Sequence, residues 1–339
     1  NKYSGEENAE LIKNAGDKRL TLSFYKYVVI KNPKLFRDYL FLNLQLLDIF
    51  GRIYVSFEGI NAQLSVPSKK LDELKSQLDE ISFLKDIRLN IAIESDDFSF
   101  LKLKIKVRSK IVSDGLKDNV YDITDPGKHL NAKKFNQMLN KKETICIDMR
   151  NHYESEIGHF KNAILPNVDT FKESLHFVEK RYSEYKKNKN IVLYCTGGIR
   201  CEKASAFLKY KGYNNVFQLK GGIIEYTNQV KKEGIENKFI GKNFVFDQRK
   251  SERISQDIIS KCHQCGEKSD SHTNCANEAC HLLFIQCERC VKKMKNCCSY
   301  KCIKTISLSD QERKEQRKGK KNSNKIFKKG RSPVLKFKQ

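Results

Sequence analysis

The sequence lacks the long apolar run that a membrane-spanning helix requires. Its 339 residues contain no eighteen consecutive apolar residues, because lysine, aspartate or asparagine interrupts the longest apolar stretches. The first ten residues, NKYSGEENAE, also lack the apolar segment of a secretion signal. Both absences argue against a membrane partner and predict a cytoplasmic location.

Acidic residues are scarce relative to basic ones. The chain carries 65 lysines and arginines against 41 aspartates and glutamates, a formal net charge of +24. From residue 310 to residue 339 there are 12 basic and 3 acidic residues. This excess favours a nucleic-acid partner, although abundant lysine, asparagine and isoleucine also follow from an AT-rich coding sequence.

Signatures of redox cofactors are missing as well. No GxGxxG motif follows a predicted strand, so the sequence carries no flavin or NAD signature. No pair of histidines stands with a carboxylate at the spacing of a non-haem iron site. The sequence also carries no signal of oligomeric state.

Cysteine, in contrast, is abundant. Without a secretion signal, twelve cysteines indicate thiols in a reducing compartment that bind metal or take part in chemistry. Nine of them fall between Cys262 and Cys302, and the others are Cys146, Cys195 and Cys201. Cys146 lies in the apolar stretch TICIDM and is predicted to be a core residue.

The hydrophobic pattern predicts an α+β domain followed by an α/β domain. The order strand, helix, strand, strand, helix, strand in the first part is that of a ferredoxin-like fold. Helices then alternate with short apolar strands, which indicates a largely parallel sheet. The predicted organisation is a polar lead at 1–18, a ferredoxin-like domain at 19–112, an α/β domain at 121–240, a cysteine-rich segment at 241–309 and a basic disordered tail at 310–339.

The segment YCTGGIRCEK joins a predicted strand to a predicted helix. A thiol at a helix N-terminus loses its proton more easily, and adjacent glycines let backbone N–H groups converge on one anion. We therefore expect a small anion-binding cup with the Cys195 thiolate on its floor and Arg200 adding charge. The intervening loop residues are Thr196, Gly197, Gly198 and Ile199. Cysteine phosphatases have five residues there, so four favour a persulfide over a phosphate.

The motifs DMRNHYESEIGHFKNA, YCTGGIRCEKA and VFQLKGG resemble a rhodanese domain. The resemblance implies that Cys195 is the persulfide-bearing nucleophile. Cys201 replaces the serine or threonine common there, and it is predicted to pack in the helix, with a resolving thiol as the alternative. Residues implied to tie loops around the active-site turn are Asp148, Arg150, Glu154, Gly158 and His159.

The whole chain resembles a narrower family, the oxygen-dependent tRNA uridine hydroxylases. The stretch GRIYVSFEGINAQLSVP, the CTGGIRCEKA loop and the CHQCG and CCSYKC segments occur together there. The resemblance implies an acylphosphatase-like domain, a rhodanese domain and a cysteine-rich module. It further implies 5-hydroxylation of the wobble uridine in the tRNA anticodon region, with molecular oxygen as co-substrate and Cys195 essential. A sulfurtransferase and a non-catalytic RNA- or protein-binding adaptor are the alternatives.

The cysteine-rich segment contains two CxxC knuckles, Cys262 with Cys265 and Cys287 with Cys290. Two knuckles at this separation are typical of a structural zinc site with four thiolates. An iron–sulfur cluster, free thiols and disulfides are the alternatives. Candidate ligands of a second site are Cys275, Cys280, Cys297, Cys298 and Cys302.

The sequence alone leaves two interpretations for each of two surface features. In the EGIN stretch, Glu58 and Asn61 could contact substrate, although a hairpin turn is the simpler interpretation. The alternating basic residues are interpreted as one solvated strand face, with a phosphate track as the alternative. They are Lys102, Lys104, Lys106 and Arg108.

Overall fold

A computed structural model describes residues 4–94, 96–118, 120–318, 332 and 334–337. The described residues form two compact units. The first unit contains those of 1–151, 162–238 and 245–252, and the second contains those of 152–161, 239–244 and 253–339. None of the helices in the described ranges has the length and apolarity needed to cross a bilayer.

Helices and strands alternate through most of the described chain. The α-helices are α1 (Gly5–Ala15), α2 (Pro33–Leu46), α3 (Leu71–Asp79), α4 (Ala132–Leu139), α5 (His152–Ser155), α6 (Phe171–Arg181), α7 (Ile199–Tyr210), α8 (Gly222–Glu233), α9 (Glu288–Met294), α10 (Tyr300–Ile306) and α11 (Asp310–Arg317). The strands are β1 (Arg19–Tyr27), β2 (Phe50–Ser56), β3 (Gly59–Pro67), β4 (Asn90–Ile91), β5 (Leu103–Val107), β6 (Lys128–Leu130), β7 (Thr144–Asp148), β8 (Gly158–Phe160), β9 (Asn190–Tyr194), β10 (Val216–Leu219), β11 (Phe239–Phe244), β12 (Ser251–Arg253), β13 (His272–Asn274) and β14 (Leu283–Ile285).

The first sheet has the strand order β4-β1-β3-β2-β5. Strand β3 runs antiparallel to both β1 and β2, and β4 runs antiparallel to β1, which confirms the predicted ferredoxin-like fold. Strand β5 adds a fifth strand parallel to β2. Helix α2 begins with a regular cap, because the Asn32 side chain accepts a hydrogen bond from the N–H of Leu35 and Pro33 opens the helix.

Two local features of this domain were not specified by the sequence pattern. The polar lead contains a helix, α1, which begins with a capping box between Ser4 and Glu7 and buries Ile12. Helix α3 begins at Leu71, because Ser68–Lys70 form a 3₁₀ turn before it. Short polar segments of this kind give weak periodicity, so their structure depends on what they pack against.

The second sheet has the order β6-β10-β9-β7 and its described pairs are parallel, as predicted. Helix α7 packs on β9 and β10, and its C-terminal end is followed by Gly212 in the left-handed conformation. The apolar stretch NAILPNV forms only one parallel bridge, between Ile147 and Ile164. Pro166 has no N–H to extend the pairing.

The second unit contains the cysteine-rich segment. Strands β8 and β11 pair antiparallel, as do β13 and β14. At the start of the predicted basic tail, a capping box between Ser309 and Glu312 opens helix α11. Leu335 is buried near the cysteines, and the N–H groups of Lys336 and Phe337 donate to the carbonyl of His263. Residues 319–331, 333 and 338–339 of the predicted tail lie outside the described residues.

Candidate active site

The Cys195 loop lies at the carboxyl end of strand β9, where ligands of open parallel sheets bind. Cys195 follows the last residue of that strand and has no exposed surface. The N–H of Gly198 donates to Cys195 Sγ over 3.2 Å, and the backbone N–H groups of Arg200 and Cys201 donate to the same sulfur. The loop therefore surrounds the thiol with donors, as the predicted cup requires.

The pKa of Cys195 reflects two opposing effects. Burial raises it, but the S–H of Cys201, the positive charge of Arg200 and the backbone N–H groups lower it to about 6. A thiol with this pKa is about 90% thiolate at pH 7. Cys195 therefore has the protonation state of a nucleophile.

Cys201 has the opposite protonation state. Burial and the neighbouring Cys195 thiolate raise the pKa of Cys201 well above that of an exposed thiol. Its side chain is packed in the core of the second sheet, which agrees with the packing interpretation, but it also holds a proton toward Cys195. A role as a resolving thiol stays a prediction.

Arg200 occupies the first turn of α7. Its Nη2 donates to Thr196 Oγ1 over 3.4 Å, and its Cζ lies 6.0 Å from the centre of the Phe246 ring. The side chain is almost fully buried. These contacts place its charge beside the sulfur that it helps to ionise.

The start of α8 supports the loop from the other side, and sequence reasoning missed its role. The N–H groups of Ile223 and Ile224 donate to the carbonyls of Cys195 and Thr196 over 3.0 and 3.2 Å. Gly222 has φ +66°, and a Cβ there would lie 2.5 Å from each of those two carbonyl oxygens. The GG in VFQLKGG was the available signal, because such a pair after a strand indicates close backbone approach.

Residues of the N-terminal sheet also contact the loop. Tyr27 donates its O–H to the carbonyl of Ile199 over 3.1 Å, and Asn90 Nδ2 lies 3.4 Å from the carbonyl oxygen of Gly197. Gly198 has φ +100°, and a Cβ on it would lie 2.8 Å from the hydroxyl oxygen of Tyr25. No local sequence signal marks these three side chains, since they reach the loop from more than a hundred residues away.

A buried ion-pair network joins the same sheet to α7. Lys203 Nζ contacts Glu58 Oε2 at 2.7 Å and Asp114 Oδ2 at 2.9 Å, and it donates to the carbonyl of Val112. Glu58 also accepts the N–H of Ile111. The turn of this hairpin is formed by Phe57 and Glu58, whereas Gly59, Ile60 and Asn61 already belong to β3. Glu58 contacts Lys203 of α7, and a substrate role for Glu58 or Asn61 stays a prediction.

Glu202 forms a second polar network on α7. Its carboxylate contacts Tyr25 Oη, His129 Nε2 and Gln218 Nε2, each at 2.9 Å. Burial raises the pKa of Glu202, but its contacts with His129, Tyr25 and Gln218 outweigh burial and lower it. Glu202 is therefore ionised and held in a fixed orientation.

The first rhodanese signature contributes a fully buried ion pair. Arg150 Nη2 lies 2.6 Å from Asp148 Oδ2, and Arg150 Nε lies 2.9 Å from Asp148 Oδ1. Within the second unit, Glu154 is buried in α5 and His159 lies in β8 with Nδ1 3.0 Å from the carbonyl oxygen of Phe160. Asp148, Arg150 and Glu154 are fully buried, and their role in tying loops around the active-site turn stays a prediction.

Three of the four alternating basic residues in and beside β5 are exposed, and the fourth, Lys102, is half-buried. Lys104 and Lys106 are exposed, whereas Leu103 and Ile105 are buried. Arg108 lies over the Tyr54 ring at 5.6 Å. The face is solvated, and its use as a phosphate track stays a prediction.

The cysteines of the second unit form two groups of four. One contains Cys262, Cys265, Cys287 and Cys290, and the other contains Cys275, Cys280, Cys298 and Cys302, with the sulfur atoms of each group within 4.8 Å of one another. A tetrahedral zinc ion with Zn–S bonds of about 2.3 Å separates its ligands by about 3.8 Å. The Cys265–Cys287, Cys280–Cys298 and Cys298–Cys302 sulfur distances are 3.6, 3.7 and 3.8 Å. Each group therefore has the dimensions of a site for one metal ion of its own.

Cys297, a candidate ligand on sequence alone, belongs to neither group. It is buried in the small core that contains Leu282 and Phe284. Sequence could not separate it from Cys298, because adjacent residues differ only in the direction of their side chains.

Comparison with known proteins gives matches along most of the chain. Three family models match: "UPF0176 acylphosphatase like domain" at residues 19–111, "Rhodanese-like domain" at 131–229 and "Rhodanase C-terminal" at 240–303. A curated relative from Leptospira interrogans is 50% identical over 98% of this chain and 90% of its own length. A relative from Yersinia enterocolitica is 49% identical over 98% of this chain and 95% of its own. Each is named "tRNA uridine(34) hydroxylase".

Proposed function

This chain belongs to the tRNA uridine(34) hydroxylase family, and we propose that it hydroxylates C5 of uridine 34 in the tRNA anticodon with molecular oxygen as co-substrate. The observation that carries the proposal is the Cys195 thiolate, held in a glycine loop, in a chain about half identical to those hydroxylases over nearly its full length. The net charge of +24 supports a polyanionic substrate. A tRNA substrate also supports the expected cytoplasmic location.

The thiolate supplies the first step of the proposed reaction. Addition of Cys195 Sγ to C6 of uracil breaks the C5–C6 π bond and leaves its electron pair on C5 and O4. C5 then bonds to one atom of O2, and an external two-electron reductant with two protons converts the distal oxygen to water. Loss of the C5 proton and departure of the thiolate restore the double bond.

The surrounding residues prepare this nucleophile. The N–H of Gly198 and the charge of Arg200 stabilise the anion, and Cys201 holds a proton on its own sulfur toward it. Because Cys195 has no exposed surface, a base reaches its sulfur after the side chains over the loop shift. The chemistry is therefore coupled to substrate binding.

Mass spectrometry of tRNA nucleosides tests the proposal. Cells that lack the protein are expected to lose 5-hydroxyuridine and its derivatives, and wild-type protein is expected to restore them. A Cys195→Ala variant is expected to restore none, and growth under ¹⁸O₂ should label the hydroxyl oxygen. Retained 5-hydroxyuridine with Cys195→Ala as the sole copy would exclude the proposed role of this thiol.

Sulfur transfer is the second candidate, because the same loop is suited to a persulfide on Cys195. Thiosulfate-to-cyanide turnover by the purified protein, together with unchanged tRNA nucleosides in cells lacking it, would favour this activity. A Cys195→Ser protein with full cellular function would instead favour the third alternative, a non-catalytic RNA- or protein-binding adaptor.

We further propose that each group of four cysteines binds one structural zinc ion. The sulfur distances fit a single tetrahedral ion, whereas an iron–sulfur cluster distributes its cysteines over several iron atoms. Absorbance of the purified protein separates the two, since an iron–sulfur cluster absorbs visible light and zinc thiolate does not.

A further inference from the structure

A cavity of about 320 Å³ is separated from the Cys195 loop only by side chains that line it. It is lined by Tyr25, Lys26, Ile87, Arg88, Asn90, His129, Glu202 and Lys220. The volume is at the lower end of the range for small-ligand sites, which suits one nucleotide. A larger cavity of about 510 Å³ is lined by neither Tyr25 nor Asn90, the two residues that connect the smaller cavity to the loop.

Two lining residues contact the loop itself. The Tyr25 hydroxyl lies against Gly198, and Asn90 Nδ2 lies 3.4 Å from the carbonyl oxygen of Gly197. Arg88 lies beside the neighbouring turn, since a Cβ on Gly221 would be 3.3 Å from its Cζ. A ligand in this cavity would therefore lie next to the backbone that holds Cys195.

The charges of the cavity favour an anion. Lys26, Arg88 and Lys220 line the cavity; the two lysines are exposed and Arg88 is half-buried. The carboxylate that lines it, Glu202, is already bonded to Tyr25, His129 and Gln218. A phosphate group would be attracted to these cations.

Two buried polar atoms in the cavity wall have no hydrogen-bond partner within the described part of the chain. One is Oδ1 of Asn90, a residue that is 2% exposed, and the other is Nε of Arg88. A buried acceptor and a buried donor without partners cost folding free energy. They lie two residues apart in sequence and line the same cavity, which indicates a ligand with both a donor and an anionic acceptor.

We propose that this cavity binds the target nucleotide, with Asn90 Oδ1 accepting the N3–H of uracil, Tyr25 contacting the base, and Arg88 and Lys220 holding its phosphate. The inference rests on the proposed tRNA substrate and adds the residues that select the base. Cytosine has no N3–H, so Asn90 favours uridine over cytidine. The ferredoxin-like domain therefore contributes specificity, and the rhodanese domain contributes the thiolate.

Equilibrium binding of two anticodon stem–loop RNAs tests this site without turnover. The RNAs differ only in carrying uridine or cytidine at position 34. Wild-type protein is expected to prefer the uridine RNA roughly five- to tenfold, the effect of one hydrogen bond. Asn90→Leu is expected to abolish the preference, and Asn90→Asp, which keeps an acceptor, is expected to retain it.

Arg88→Gln is expected to weaken the binding of both RNAs about equally and to leave the preference for uridine over cytidine unchanged. The matched control is Arg181→Gln, which removes the same charge from an exposed position on α6. The proposed site would be contradicted if Asn90→Leu still preferred the uridine RNA. It would also be contradicted if Arg88→Gln and Arg181→Gln bound the RNAs with equal affinity. If wild-type protein shows the expected binding but makes no 5-hydroxyuridine in cells, the site stands and the proposed function fails.

Discussion

At the scale of single residues, the reactivity of Cys195 depends on how burial competes with hydrogen-bond donors. Burial alone would keep a thiol protonated, as it does at Cys146, whose pKa burial raises well above that of an exposed thiol. Cys195 is equally buried, yet its pKa is about 6 because donors and a positive charge converge on its sulfur. The S–H of Cys201 is one of those donors.

Replacing Cys201 with alanine is expected to raise the pKa of Cys195, because the thiolate loses a donor. The pH dependence of iodoacetamide alkylation, followed at the Cys195 peptide by mass spectrometry, measures the midpoint. Wild-type protein should show a midpoint near pH 6, and Cys201→Ala a higher one. Cys146→Ala is the matched control, and an identical midpoint in all three proteins would contradict the role assigned to Cys201.

Stability should also depend on the ionisation of Cys195. The folded-state pKa of about 6 lies below that of an unfolded thiol, about 8.5, so the thiolate stabilises the fold fully above pH 8.5. This contribution decreases as the pH falls through 6. Urea unfolding of wild-type and Cys195→Ser proteins should therefore differ more at pH 8.5 than at pH 5.5. A constant difference would show that the thiolate is not stabilised.

At the scale of elements, the two ends of α8 offer a direct comparison. Gly222 and Gly234 have φ angles of +66° and +64°, but a Cβ on Gly222 would meet the carbonyls of the Cys195 loop, whereas Gly234 has open space. Gly234→Ala should cost about 1–2 kcal/mol for backbone strain. Gly222→Ala should cost more and should also raise the alkylation midpoint of Cys195. Equal free energies of unfolding for Gly222→Ala and Gly234→Ala would contradict the close contact between Gly222 and the Cys195 loop.

Helix α7 is held by the buried Lys203. Lys203→Met leaves Glu58 and Asp114 without their counter-charge and should lower the free energy of unfolding by about 3–5 kcal/mol. Lys209 on the same helix pairs with the exposed Asp125, so Lys209→Met should cost about 0–1 kcal/mol. Urea denaturation of both variants measures the difference, and similar values would mean that the buried network does not fix α7.

At the scale of the whole molecule, metal content should follow the two cysteine groups. We expect two zinc ions per chain by elemental analysis. Cys298→Ser should remove about one, because Cys298 belongs to a group of four, whereas Cys297→Ser should keep both, because Cys297 belongs to neither. Loss of the same amount of zinc in both variants would contradict the assignment. Chelation should lower the unfolding temperature of the wild-type protein.

The repeating patterns of the chain were predictable from sequence. Strand β5 alternates buried Leu103 and Ile105 with exposed lysines, and α2 begins at Pro33 after the Asn32 cap, because both signals depend on neighbouring residues. Helix α11 was missed because its composition is that of a solvated tail. The capping box is present in the sequence, but the many charged residues that follow it favoured the prediction of a disordered tail.

The sequence by itself determined the ferredoxin-like and parallel sheets, the Cys195 loop between β9 and α7, and the two CxxC knuckles, because each depends on residues close together in the chain. Tertiary structure decided that Cys195 faces the Cys201 S–H, that Glu58 pairs with Lys203, and that Cys298 rather than Cys297 joins a group of four cysteines. It also brought Asn90 beside Gly197 across 107 residues of sequence. Such contacts depend on side-chain direction and on which elements pack together, and local pattern carries neither.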